Sequence, residues 1–166
     1  ALGALFHMPT LSGQEGKAKG LQDITALLNS RPDSAIALAR KSLLKYNHVD
    51  TIKAKASYYM GIAYYYKGMY YVSADYYKQA LDTEYASDHR RFRGKCHNNL
   101  GIVYEYTRRF KKAMDHYLRS MKIDSLHKDS AGVAQSRINL GVLYQNMNQS
   151  QQARKYLQQA YAYFKR

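Results

Sequence analysis

Three glycines, Gly61, Gly101 and Gly141, stand 40 residues apart, each within a segment that aligns with the other two without a gap. These segments read ASYYMGIAYYY (56–66), CHNNLGIVYEY (96–106) and SRINLGVLYQN (136–146). A second matching stretch follows each one: SADYYKQAL at 73–81, KAMDHYLRSM at 112–121 and QARKYLQQAY at 152–161. Self-similarity at a fixed period of this size is the mark of a repeat architecture, in which one supersecondary unit is stacked on copies of itself.

Each unit reads as two helices. In the second unit Leu100, Gly101 and Tyr104 share one helical face, and Ala113, Tyr117, Ser120 and Met121 form the stripe of the next helix. Expected starts are Asp50 or Thr51, Ser87 or Asp88, and Asp129 or Ser130, whose side chains cap free backbone N–H groups. Short polar turns, KGM, TRR and NMNQ, separate the helices of each pair. With 10 Gly and 2 Pro in 166 residues, the chain lacks the turn residues of a β-sandwich or barrel.

An earlier pair is expected from GLQDITALLNS, a weak helix, and RPDSAIALARKSLLKY, a stronger one with Pro32 in its first turn. That makes about eight helices. No such pair buries its apolar stripe alone, so the expected fold is all-α, a right-handed solenoid of helical hairpins with one continuous core. Residues 1–17 read as an N-terminal extension and 18–166 as a single domain, with an irregular first pair at 18–47 and full repeats at 51–86, 88–126 and 130–166.

The opening ALGALFHMPTLSGQ reads either as the back half of a secretory signal peptide, cleaved near Ser12 or Gly13, or as a cloning scar ending in His7-Met8. The first reading places the protein outside the cytoplasm, as an exported or periplasmic chain; the second leaves it cytoplasmic. No apolar run reaches the roughly 18 residues of a membrane span.

The repeated segments resemble tetratricopeptide (TPR) repeats. The family's packing residues correspond to Met60, Gly61, Tyr64, Ser73, Tyr77 and Ala80 in the first unit. They are Leu100, Gly101, Tyr104, Ala113, Tyr117 and Ser120 in the second, and Leu140, Gly141, Tyr144, Ala153, Leu157 and Ala160 in the third. Where the family usually has Trp, this chain has Ser57, His97 and Arg137, and the family's late proline is absent. The 40-residue period is longer than the family's usual one and is similar to the kinesin-light-chain and bacterial regulator branches. The stretch RPDSAIALARKSL behind the opening stub is similar to the sensor ends of TPR-containing regulators in Bacteroidetes.

Little in the chain suits catalysis. Between them the first helices of the three units hold one carboxylate, Glu105, and none follows Asp129. General acid–base chemistry needs two tuned groups across one substrate. The histidines show no metal-ligand spacing, and no cofactor is expected. Cys96 and His97 are helix neighbours that point about 100° apart, so Cys96 reads as a packing residue.

The resemblance implies a non-catalytic scaffold that binds a protein or peptide in a concave groove lined by the first helices, as part of a larger signalling or regulatory protein. The implied groove residues are Lys55, Tyr58, Ile62, Tyr65 and Tyr66; Lys95, Asn98, Ile102, Glu105 and Tyr106; and Gln135, Ile138, Val142, Gln145 and Asn146. Asn99 and Asn139 flank them. The family's chaperone-type carboxylate clamp is not expected, because Tyr58, Ile62, Gln135 and Asn139 replace its ligands and only Asn99 matches. The chain ends at YFKR on a second helix, and self-association there or through the N-terminal extension is a further expectation.

The formal charge is +14, and between Ala86 and Lys122 ten Lys/Arg face three carboxylates. Arg90, Arg91, Arg93, Arg108, Arg109, Lys111 and Lys112, with Phe92 and Phe110 among them, suggest an alternative: a basic patch for nucleic acid or another anionic surface. Both clusters are expected at helix ends, away from the groove, with the phenylalanines buried. Among the tyrosines of 61–77, Tyr64, Tyr70 and Tyr77 are expected in the core and Tyr65 and Tyr66, with Tyr58, in the groove.

Overall fold

A computed structural model describes residues 20–165, and every regular element among them is helical. Helix α1 runs through 20–27, followed by α2 (Pro32–Lys45), α3 (Asp50–Tyr66), α4 (Tyr70–Leu81) and α5 (Glu84–Asp88). Then come α6 (Arg90–Tyr106), α7 (Phe110–Leu126), α8 (Ser130–Asn146) and α9 (Ser150–Phe164). Helices α3 and α4, α6 and α7, and α8 and α9 form hairpins, while α4 packs on α6 and α7 on α8. The result is the expected solenoid. The N-terminal extension at 1–17, with the self-association expected of it, lies outside the described residues.

The described residues hold nine helices, one more than the sequence led us to expect, and α5 is the addition. In the second repeat the outer helix α7 is unbroken for 17 residues. In the first, the same span is cut at Thr83. The Thr83 hydroxyl donates to the Ala80 carbonyl at 2.7 Å and accepts from the Ala86 N–H at 3.2 Å, ending one helix and capping the next. The Asp50 carboxylate, at the start of α3, accepts the Tyr85 N–H and ties α5 to the inner row. In consequence α6 starts at Arg90 rather than at Ser87 or Asp88, which α5 absorbs. Asp129 does cap α8, accepting from the Gly132 N–H at 3.0 Å.

The repeat glycines set the closeness of each hairpin. A Cβ built on Gly61 would sit 2.7 Å from the Tyr77 ring, on Gly101 2.4 Å from the Tyr117 ring, and on Gly141 2.6 Å from Leu157. Only glycine lets the partner side chain lie flat on the backbone there. Ser73, a departure from the family's alanine, uses the same proximity: its hydroxyl donates to the Gly61 carbonyl at 2.7 Å. Ser120 likewise donates to the Gly94 carbonyl at 3.0 Å. Both buried hydroxyls are thus satisfied.

The three hairpin turns share one geometry. Gly68, Arg108 and Asn148, again 40 residues apart, have φ of 72°, 56° and 59°. Beyond each, the next N–H reaches back to the helix: Met69 to Tyr64 at 2.9 Å, Arg109 to Tyr104 at 2.8 Å, Gln149 to Tyr144 at 2.8 Å. This is the left-handed C-terminal cap of a Schellman motif. Glycine fills it once; arginine and asparagine fill it at a steric cost.

The main buried side chains form two clusters rather than the one continuous core expected from stacking. One joins α1, α2 and α3 around Ile24, Ile36, Met60 and Tyr64. The other runs through α4, α6, α7 and α8 around Tyr77, Leu100, Tyr104, Tyr117 and Leu140.

Candidate recognition groove

Because α3, α6 and α8 begin and end in register, their inner faces line up, and three polar contacts bridge them at a constant step of 41 residues. The Asn99 amide donates to the Tyr58 hydroxyl at 3.2 Å, the Asn139 amide to Asn98 Oδ1 at 2.7 Å, and the Asn146 amide to Glu105 Oε1 at 2.7 Å. Gln135 adds to this ladder by donating to Asn139 Oδ1 at 3.0 Å, and Glu105 takes the Tyr117 hydroxyl at 2.8 Å on its other oxygen. Amides that the sequence suggested as free for a ligand thus already hold one repeat against the next.

The apolar members divide by depth. Tyr58, Ile62, Tyr65 and Ile102 are half-buried and pack on the core. Tyr58 leans on Tyr77 at 5.8 Å and on Phe92 at 5.4 Å, and burial pushes its hydroxyl up to about 12. Ile138 is also half-buried. Tyr66 and Tyr106, at equivalent positions, remain 51% and 58% exposed, and Val142 is 39% exposed. Tyr65 holds Tyr106 edge-on at 5.4 Å, and Tyr70 stacks on Tyr106 at 5.3 Å, so one end of the groove carries a cluster of tyrosines. Gln145 turns instead to a separate cleft of about 490 Å³ against Ala153, Leu157 and Tyr161 of α9.

The tyrosines left aside by the repeat pattern find places as well. Tyr76 stacks on Tyr64 at 5.3 Å, with Arg40 donating to the Tyr64 hydroxyl at 2.9 Å, which joins the first repeat to α2. Tyr71 is 62% exposed under the Arg109 guanidinium, 5.0 Å from its ring centre.

The basic residues do not form one patch. Arg90 and Arg91 begin α6, while Arg108, Arg109, Lys111 and Lys112 lie at its other end, roughly 25 Å away at 1.5 Å per residue. At that far end Arg108 lies over Phe110 at 5.6 Å and Lys112 over Tyr104 at 5.6 Å; Lys111 is exposed. Arg93 stands near His97 and contributes to holding that imidazole neutral. Phe110 does pack on the core, and Phe92 is half-buried.

Arg90 and Arg91, moreover, are not remote from the groove. With Lys55, Tyr58 and Lys95 they line a cleft of about 510 Å³ at the corner of α3, α5 and α6. Tyr59, Tyr85, His89, Phe92 and His127 complete it; of these only Phe92 stood out in the sequence, beside the arginines, because the short helix α5 is what carries Tyr85 to the corner. A second cleft of about 300 Å³ shares Tyr58, Arg91 and Lys95 and continues over Asn98, Asn99 and Gln135.

Burial pushes the Cys96 thiol up to about 12, so a thiolate is not available there at neutral pH. Its neighbour His97 faces His116 instead, with the two Nδ1 atoms 3.0 Å apart. No group of three or more metal-ligating side chains occurs among the described residues.

Inner helices in register, outer helices behind them and glycine at each hairpin contact define a helical-repeat interaction scaffold. The tetratricopeptide-repeat family model matches residues 52–126 and 97–166, and the chain belongs to that family. Among solved structures it is similar to MamA (TM-score 0.70, 18% identity, covering 93% of this chain and 81% of that one). It is also similar to BtubC (BKLC) from P. vanneervenii (TM-score 0.73, 16% identity, covering 93% and 74%). At these identities the likeness concerns the fold. No curated protein matches the chain.

Proposed function

We propose that this chain is a non-catalytic scaffold that holds a protein or peptide segment along the groove of α3, α6 and α8, within a larger signalling or regulatory assembly. The observation that carries the reading is the pair Tyr66 and Tyr106, at equivalent positions of the first two repeats, exposed along a face whose floor is fixed by the amide ladder to which Asn146 of the third belongs. Half-exposed tyrosines on a rigid floor offer large contact area at small entropic cost, since the floor is ordered before the ligand arrives. Site-specific photo-crosslinking tests this. A photoreactive residue at Tyr66 or Ile102 should capture a polypeptide partner in cells, and one at exposed Lys122 of α7 should not. Equal capture from both positions, or capture from Lys122 alone, contradicts the groove.

Self-association belongs to the same reading. Tyr161 and Phe164 of α9 stand 64% and 65% exposed, and sedimentation over a concentration series should show dimer lost on Tyr161→Ser with Phe164→Ser. A chain that stays monomeric throughout the series removes this part.

A further inference from the structure

The cleft at the corner of α3, α5 and α6 specifies the occupant further. Resting on the peptide-binding reading, we propose that the groove takes a charge-polarised segment. Its acidic block is held at this corner by Lys55, Arg90, Arg91 and Lys95, and its next stretch, over Asn98 and Gln135, is free of negative charge.

Four cations and two imidazoles line the cleft, and no carboxylate does. Among the described residues only Arg91 of the four cations has an ion-pair partner, Asp129 at 3.5 Å, and its side chain is 71% exposed. Lys55, Arg90 and Lys95 have none. Like charges gathered in one concavity repel each other and focus a positive potential that attracts an anion. Lys55 lies over the Tyr85 ring at 5.5 Å, and helix α6 offers Arg90 and Arg91 no compensation. Arg90 and Arg91 open α6, whose first turn holds no acidic residue and whose N-cap makes no side-chain bond. Cations at a helix N-terminus oppose the helix dipole, so their placement weakens α6 and serves something outside it.

The neighbouring cleft sets the second half of the specificity. It shares Tyr58, Arg91 and Lys95 with the first and is lined further on by Asp124 and Asp129. An occupant with uniform negative charge meets these carboxylates in the adjoining cleft, where Asp129 stands against Arg91. A peptide can place its carboxylates at one end and present neutral backbone to the amides. A phosphate backbone cannot, since its charge recurs at every nucleotide. The rings of the corner also engage one another, with Tyr85 stacked on His89 at 3.8 Å and Phe92 set against both Tyr85 and Tyr58. Base stacking needs open ring faces.

Fluorescence anisotropy with synthetic probes tests the assignment. The probes are a labelled peptide of a glutamate block followed by an alanine–lysine block, its glutamine counterpart, an all-glutamate peptide of equal length, and oligo-dT. The block peptide should bind at least about tenfold more tightly than the other three, and added salt should weaken it. Arg90→Glu with Lys95→Glu should abolish the preference, whereas Lys111→Glu with Lys112→Glu should leave it. Arg90→Glu places an acid at a helix N-terminus and so favours folding, which separates lost binding from lost structure. Equal binding of the glutamine peptide, indifference to the Arg90/Lys95 reversal, or tighter binding of oligo-dT overturns the proposal. A partner that still crosslinks at Ile102 in the reversal variant leaves the groove standing and overturns the acidic class alone.

Discussion

The Asn99 side-chain amide donates to the Tyr58 hydroxyl at 3.2 Å, linking the inner helices of the first two repeats. The same step of 41 residues recurs from Asn98 to Asn139 and from Glu105 to Asn146. These bonds join neighbouring repeats along the face proposed to receive a ligand. Stability in a repeat array is approximately a sum of repeat and interface contributions, so the ladder acts on the interfaces.

Glu105 is the acceptor on which the second interface converges, taking both the Tyr117 hydroxyl and the Asn146 amide. Glu105→Ala leaves the hydroxyl of a buried tyrosine without its partner, and the expected loss is about 1–3 kcal/mol. Glu105→Gln, which keeps an acceptor oxygen, should lose less. Urea titration of the two variants checks the ordering, and equal midpoints would remove Glu105 from the interface.

Gly101 admits the Tyr117 ring to the backbone of α6. Gly101→Ala raises helix propensity by about 1 kcal/mol, yet its Cβ falls 2.4 Å from that ring. Overpacking of a well-filled contact costs typically about 1–3 kcal/mol, so we expect net destabilisation. A raised thermal midpoint for this variant would show that Tyr117 moves aside freely.

Arg108 adopts φ of 56° in a turn whose counterpart in the first repeat is Gly68. Arg108→Gly relieves the left-handed strain and should stabilise the protein by up to about 1 kcal/mol, less the added freedom of the unfolded chain. Gly68→Ala should do the reverse, although nothing lies within 4 Å of its added Cβ. Differential scanning calorimetry of both variants reads the two signs.

His97 and His116 share one proton-bearing contact, Nδ1 to Nδ1 at 3.0 Å, so at least one ring must be neutral to accept it. Burial, then His116, then Arg119 and Arg93 lower His97 to about 4; burial likewise lowers His116, against Asp115 and alongside Arg119, Lys112 and Lys78. A lowered folded pKa means that the unfolded chain binds more protons between about 6.5 and 4. Stability from this pair is therefore complete above about pH 6.5 and falls as pH drops toward 4. For half-exposed rings we expect a loss on the order of 1 kcal/mol. His97→Asn should flatten the dependence measured by urea midpoints at pH 7 and pH 5; an unchanged slope would place the acid sensitivity elsewhere.

Much of the fold was legible in the chain. Gly61, Gly101 and Gly141 with Tyr77, Tyr117 and Leu157 identified each hairpin contact, because helical periodicity and the need for a missing Cβ are local demands that every copy repeats. The site was less legible. Tyr58 and Tyr66 occupy comparable groove positions in the repeat pattern, yet one lies against Phe92 and Tyr77 while the other stands in solvent. Arg90 and Arg108 belong to one basic stretch of sequence and to opposite ends of one helix.

By itself, then, the sequence determined the period, the helix pairs and the face each helix buries, since these depend on residues three, four and seven apart. Tertiary structure alone decided which groove side chains are bound by their neighbours and which stay open. Those contacts join residues 41 apart, and their geometry follows from how one hairpin is rotated on the next. It also decided the cationic corner. A break at Thr83 frees α5 to carry Tyr85 and His89 beside Lys55 and Lys95, an arrangement that no spacing along the chain encodes.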